Sequence, residues 1–430
     1  MKDLLNKVTG IYEEKKPSAL SFLKNLKNKF KLKKKPKPSK FSVFEVCVLV
    51  IATAIVSLNM GGFIATVILS EHNSDNELST EMKDFIKNYD YIKDNYYGKF
   101  NEKKVLDSAI KGVLYGLGDP YSNFLDAAND INFEISLKGS FQGIGIEIVN
   151  NGDNRVRILN VMADSPAEKA GLKIGDLFTS VNGVSMIGKS SSELSAFIRT
   201  AKENDFVIKI IRAGVEKTFN ITKEVIIIKS VSSKTFNIGT KKIGYIKVDI
   251  FSATTYNQFK VALLKLESEK IDSLIIDVRD NAGGHLSVVK DMTSLFLNSK
   301  HIIYQTEDKN GKEKEYSTGK VDKKYPIVFL ANGASASASE LMIGALKDEL
   351  GSIMIGEQTF GKGTVQELQD LSSGNSYKFT TKKWLTPKGA WIHGKGITPT
   401  IVIKLNDKYK ANPSDANDNQ LQKALEYLNK

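Results

Sequence analysis

Cys47 is the only cysteine in 430 residues, so the chain can form no internal disulfide and no cysteine-based zinc site. Histidine is nearly as scarce: His72, His285, His301 and His393 are scattered, and no two fall at metal-ligand spacing. Acidic residues are scarce in one place only. Residues 1–41 hold 13 Lys against Asp3, Glu13 and Glu14, a balance of +10, and 12 − 10 leaves only +2 of the net charge for everything else. The basicity is therefore a tail, which argues against a nucleic-acid-binding face. With 41% hydrophobic and 26% charged residues, a wholly disordered chain is excluded, and the length suits two or three domains.

Charge is missing altogether from Val46 to Leu69, a run of 24 residues. As a helix it would extend roughly 36 Å, enough to cross a bilayer core of about 30 Å. A cleaved signal peptide would have a shorter apolar stretch nearer the start. We therefore expect an uncleaved transmembrane helix at 46–69. The Lys-rich tail precedes it, whereas Glu71, Asp75 and Glu77 follow it. Positive-inside logic puts residues 1–45 in the cytoplasm and the remainder outside, in a cell membrane crossed once.

Beyond the run, Met82, Phe85, Ile86, Tyr89 and Ile92 keep helical spacing, as do Val105, Ala109, Ile110, Val113 and Leu114. The second helix should end at GLGDPYSNFLD. Residues 140–225 are β-rich, with short apolar runs parted by Gly, Asn and Asp. From about 243, near-continuous apolar strands alternate with amphipathic helices, which predicts βαβ units and a covered sheet. The fold class is thus α/β and multidomain.

Three segments carry chemistry. In PIVFLANGASASASELMIGALKD a strand meets small residues and then a helix, which can present a hydroxyl beside the backbone amides of a helix N-terminus. Ser337 and Glu340 equally fit a capping box. In IGEQTFGKGTVQELQ, Lys362 lies between two glycines. Burial would lower its pKa and make it a base, while a solvated or phosphate-binding Lys fits the same string. The P-loop spacing fails here. In IIDVRDNAGGHL, Gly283 and Gly284 allow close backbone approach to a substrate carbonyl, or merely turn the chain.

Together these segments resemble the carboxyl-terminal processing peptidases, or tail-specific proteases, a family that uses a serine–lysine dyad. The matching strings are GASASASE, FGKGTVQ and Arg279-Asp280-Asn281-Ala282-Gly283-Gly284, with GLGDPYSNFLD upstream and TPKGAWIHGKGITPT near the end. Lys347 departs from the usual Gln. The resemblance implies a ClpP/crotonase-like core with Ser337 as nucleophile, Lys362 as base and Gln366 orienting it. The oxyanion donors would be the amide of Gly283 or Gly284 and that of Ala338. It implies no metal and no other cofactor.

The β-rich region resembles a PDZ domain, FQGIGIEI being its carboxylate-binding loop. Amides of Gly143, Ile144 and Gly145 can receive a peptide's terminal carboxylate. Arg199 aligns with a family arginine that couples PDZ position to activity, here followed by Thr200 rather than Gly. The expected layout is a basic tail 1–45, the transmembrane helix 46–69, a helical segment 76–130, a PDZ domain 137–225, a serine protease core 226–405, and a polar linker with a helix at 406–430. This reads as a membrane-anchored serine endopeptidase acting on extracytoplasmic proteins, its PDZ domain taking substrate C-termini and gating turnover. The partners are protein or peptide substrates and the membrane, with no nucleic acid. A homodimer is expected through the apolar faces of the helices at 78–115 and 417–428, the alternative being that these faces pack on the same chain's core. The alternative is a catalytically silent PDZ scaffold. A trypsin-like protease is disfavoured because no GxSGG string occurs.

Overall fold

The computed structural model describes residues 78–430, with no side-chain description for 127–132. The apolar run 46–69 and the basic tail lie outside the described residues. Among those described, no helix is long and apolar enough to cross a membrane. They fall into two units, one ending at Phe100 and one running from Asn101 to Lys430.

In the first unit the helix Thr80–Asn95 starts at Ser79, whose hydroxyl accepts the Met82 amide at 3.2 Å. It contains no buried residue, and Met82, Phe85, Ile86 and Ile92 are exposed. The second unit begins with the helix Glu102–Gly116, which ends at the expected glycine.

The β-rich region is an antiparallel sheet of 146–151, 155–161, 177–181, 205–212 and 215–222, with Val184–Ser185 on one side. Strand Asp205–Arg212 alternates as a half-buried strand should, and Phe206, Ile208 and Ile210 enter the core beside Phe178 and Leu194. The helix Ser191–Thr200 closes it, started by a reciprocal Ser190–Glu193 cap. Where the chain enters and leaves this domain, Ser140–Gly143 pairs antiparallel with Glu224–Ile227.

The C-terminal α/β region is built on a six-stranded sheet in the order 231–238, 241–248, 273–277, 327–331, 353–356 and 401–402. The first pair is antiparallel and the rest parallel. Every residue of Ser273–Asp277 and Ile327–Ala331 is buried, because helices cover both faces. Residues from the helices 255–268, 286–294 and 338–350 form the core on one side. On the other side Leu421, Ala424, Leu425 and Leu428 of the helix Asn419–Leu428 pack on Ile243, Ile275, Val328 and Ile355. This corrects the assembly expectation for the terminal helix: its apolar face is already covered by its own sheet.

That helix is also pinned at its start. Arg279, buried at the end of strand Ser273–Asp277, donates to Asp277, to both oxygens of Asp418, which caps the helix, and to Gln420. A second sheet, unforeseen apart from the strand at GKGTVQ, joins 123–125, 376–385, 302–308 and 311–316, with 364–370 paired to 376–385.

Candidate active site

Strand Ile327–Ala331 ends in the loop Asn332–Ser337, which feeds the helix Ala338–Leu350. Three serines in that stretch have different surroundings. Ser335 is fully buried and donates to the Val278 carbonyl at 2.7 Å; Ser339 is fully buried and donates to the Asn281 carbonyl at 2.8 Å. Ser337 between them is partly exposed and lines a cavity of about 590 Å³. Its backbone has φ +54°, outside the range a serine prefers, at a typical cost of about 1–3 kcal/mol.

The neighbouring groups hold that geometry. Ala336 N–H donates to the Asn281 carbonyl, and Ser337 N–H donates to Glu340 Oε2 at 2.8 Å. Glu340 is fully buried with all its acceptors filled by the chain: Thr359 Oγ1 and Gly361 N–H on one oxygen, Ser337 N–H and Lys362 N–H on the other. The sequence offered this residue only as half of a cap. It also spans the gap to the lysine loop.

Lys362 lines the same cavity. Its Nζ lies 5.0 Å from the Tyr121 ring centroid and has no hydrogen bond or ion pair among the described residues. Burial pushes its pKa down and the like charge of Lys378 pushes it further, against opposing pulls from Asp119 and Glu340. Thr364, Val365 and Gln366 line the cavity together, because a register shift between Val365 and Gln366 breaks the strict alternation of the strand. The Gln366 amide donates to Thr364 Oγ1 at 2.9 Å and Thr380 Oγ1 at 3.1 Å rather than contacting Lys362. Thr380 in turn donates to Asp119, which also accepts Ser122 Oγ and the Tyr121 amide. Asp119 and Tyr121 sit in GLGDPYSNFLD, a string whose chemistry was not readable from residue types alone.

The two glycines are not equivalent. The Gly283 amide is taken by Asn281 Oδ1 at 2.8 Å. A Cβ on Gly283 would lie 2.9 Å from Ser337 Cβ and 3.0 Å from the Ala338 nitrogen, so glycine is what lets this turn approach the helix start. Gly284, at φ +146°, would drive a Cβ to 2.2 Å from the Phe251 carbonyl oxygen. Among the described residues neither the Gly284 nor the Ala338 amide has an acceptor, and such a pair can receive developing negative charge.

Gly143, Ile144 and Gly145 line a separate groove of about 190 Å³ with Ile198 and Arg199. The Ile144 and Gly145 amides have no acceptor among the described residues. Gly145, at φ +80°, would bring a Cβ to 2.3 Å from Ser165 Cβ. Arg199 Nε is buried without a hydrogen-bond partner among the described residues. The helix Ala127–Lys138 touches both sites: Ile135 lines this groove, while Phe133, Ser136 and Leu137 line the larger cavity.

Three family descriptions match along the chain: "Peptidase family S41" over 242–403, "PDZ domain" over 157–212 and "Activating protease CtpB N-terminal domain" over 61–129. Similar relatives include the carboxy-terminal processing protease CtpB of Bacillus subtilis, 39% identical over 79% of this chain and 71% of that protein. Carboxy-terminal processing protease CtpA of the same organism is 38% identical over 77% and 70%. A probable CtpA-like serine protease of Staphylococcus epidermidis is 33% identical over 85% and 74%. With a cavity-facing serine, a lysine of lowered pKa and a PDZ fold upstream, the chain belongs to peptidase family S41 as a carboxy-terminal processing serine protease.

Proposed function

We propose that Ser337 and Lys362 form the catalytic dyad of a membrane-anchored endopeptidase. Ser337 Oγ attacks the scissile carbonyl carbon while neutral Lys362 accepts its proton. The resulting oxyanion is received by the Ala338 amide and by Gly284, since the Gly283 amide is already engaged. The carbon–nitrogen bond then breaks as Lys362 delivers the proton to the leaving amine. Water, deprotonated by the same lysine, releases the acyl group. Gln366 bounds the cavity beside the lysine.

One observation carries this reading: Ser337, alone of the three clustered serines, opens onto the cavity that contains a lysine with no ion-pair partner among the described residues. The test is turnover of an unfolded protein by Ser337→Ala, Lys362→Ala and the double variant. Each single change should abolish cleavage, with the double variant scarcely worse. Near-normal turnover by either single variant would refute the dyad. No observation favours the silent-scaffold reading.

The remaining elements of the proposal are spatial. The run 46–69 anchors the chain, with 1–45 cytoplasmic and the PDZ domain (137–225) and protease core (226–405) outside the cytoplasm. Gly143, Ile144 and Gly145 receive substrate C-termini, and Arg199 couples their arrival to turnover. The exposed apolar residues of the helix Thr80–Asn95 support pairing with a second copy.

A further inference from the structure

A second lysine enters the catalytic cavity. Lys378 sits in strand Ser376–Leu385, opposite Leu368 on one neighbour and Asn123 on the other. Its side chain lines the cavity with Ser337, Lys362 and Gln366. The ammonium lies 5.0 Å from the Phe133 ring centroid and has no hydrogen bond or ion pair among the described residues.

The four carboxylates that line the cavity or act on Lys362 are hydrogen-bonded or paired elsewhere. Asp249, in the cavity wall, pairs with Lys247 at 3.1 Å, and Asp280 accepts Asn332 Nδ2 at 2.8 Å. Glu340 is filled by four donors and Asp119 by three. Two lysines therefore share one partly buried space with no dedicated counter-ion. In such a space the second positive charge is disfavoured by the first.

We propose that Lys378 is a positioning residue for the reaction, holding Lys362 in its neutral, proton-accepting form by like-charge repulsion across the shared cavity. The inference rests on Lys362 being the base. The direction of the Lys362 pKa agrees: burial lowers it first and Lys378 second, whereas Lys378 is lowered by burial alone. Asp119 and Glu340 pull the other way on Lys362. The other charged or titratable groups facing the pair are Asp119 and Tyr121 before strand Asn123–Leu125, Glu340 on the helix, and Asp249, Asp280 and His285 in the cavity wall. His393 accepts the Gly363 amide and meets the Tyr121 ring edge-on. All remain when Lys378 alone is changed.

The test is the pH dependence of kcat/KM for the full-length chain on a fluorogenic unfolded protein, with Lys378 changed to Met, Glu or Arg. Removing the neighbouring charge raises the Lys362 pKa, so Lys378→Met should move the acidic limb upward by on the order of one pH unit. Lys378→Glu should move it further. Lys378→Arg keeps the charge and should leave the limb at or below its original position. Labelling of Ser337 by a fluorophosphonate across the same pH range reads serine activation independently of substrate docking, and should shift in parallel. A limb that stays put in Lys378→Met while rate or KM changes would overturn the proposal and leave Lys378 a structural or substrate-docking residue. An active Lys362→Ala control would instead refute the dyad itself.

Discussion

Glu340 holds the backbone of Lys362: its Oε2 accepts the Lys362 amide at 2.8 Å and, at the same distance, the amide of Ser337. One oxygen thereby fixes the separation of the two loops that carry the proposed nucleophile and base. Glu340→Gln removes the charge and turns an NH2 toward amide donors. We expect kcat to fall by on the order of 100-fold with KM little changed, as for a small misplacement of reacting groups. The measurement is steady-state kinetics beside a thermal melt confirming that the variant is folded.

Lys362 itself should trade stability for activity. Its pKa is lowered in the folded chain, so the unfolded chain binds more protons across the window between the folded value and the ordinary lysine value. Stability from this group therefore rises with pH through that window and is penalised below it. Lys362→Met should raise the melting temperature at neutral pH while costing roughly 1,000-fold or more in kcat, near the upper range of general base catalysis. A melting temperature that falls instead would mean the buried ammonium is better satisfied than its surroundings suggest.

The helix Ala127–Lys138 makes a third prediction. Because Ile135 lines the PDZ groove and Leu137 the catalytic cavity, a peptide ending in apolar residues should raise turnover of a separate substrate lacking that tail. Ile135→Ala should weaken this activation severalfold while Ser337 labelling without peptide stays unchanged. Gly145→Val should abolish peptide binding, since its Cβ would meet Ser165 in a left-handed backbone. Isothermal titration and coupled kinetics separate the two effects. A PDZ deletion that changed only KM would make the domain a tether.

The terminal helix supplies a fourth. Asp418→Ala strips one carboxylate from buried Arg279 and uncaps the helix whose Leu421 and Leu425 fill the far side of the sheet. The expected loss is about 3–5 kcal/mol. Phe85→Glu on the exposed N-terminal helix should leave stability within about 0.5 kcal/mol and shift only self-association. Denaturant melts and light scattering distinguish these outcomes.

Ser337 and Lys362, the residues of the proposed dyad, stand out as candidates in the sequence because each lies in a short local string. The parallel strands and covering helices from 243 onward were legible for a similar reason, since burial on both faces writes a continuous apolar run. Glu340 was half visible: its spacing from Ser337 announced a cap, but nothing local indicates that Gly361 and Lys362 would fold back onto the same carboxylate. Lys378 was invisible, because a lysine among the polar residues of SYKFTTKK reads as a solvated strand face. The terminal helix showed an apolar stripe, and a stripe alone does not say whether its own chain or another covers it. The inequivalence of Gly283 and Gly284 depends on where the Asn281 side chain turns, which no pattern records.

The ribbon of Ser140–Gly143 and Glu224–Ile227 brings the two ends of the PDZ domain side by side. Gly143 faces Glu224 directly across an antiparallel ladder, so their Cα atoms are only about 4.5–5.5 Å apart. Seen from the core, everything between them is a hairpin turn that has grown into a domain. A two-residue turn could bridge the same gap, so a core without residues 144–223 would keep its chain path unbroken. An unrelated domain with adjacent termini could be spliced there, which makes this ribbon a natural port for putting proteolysis under the control of a different ligand.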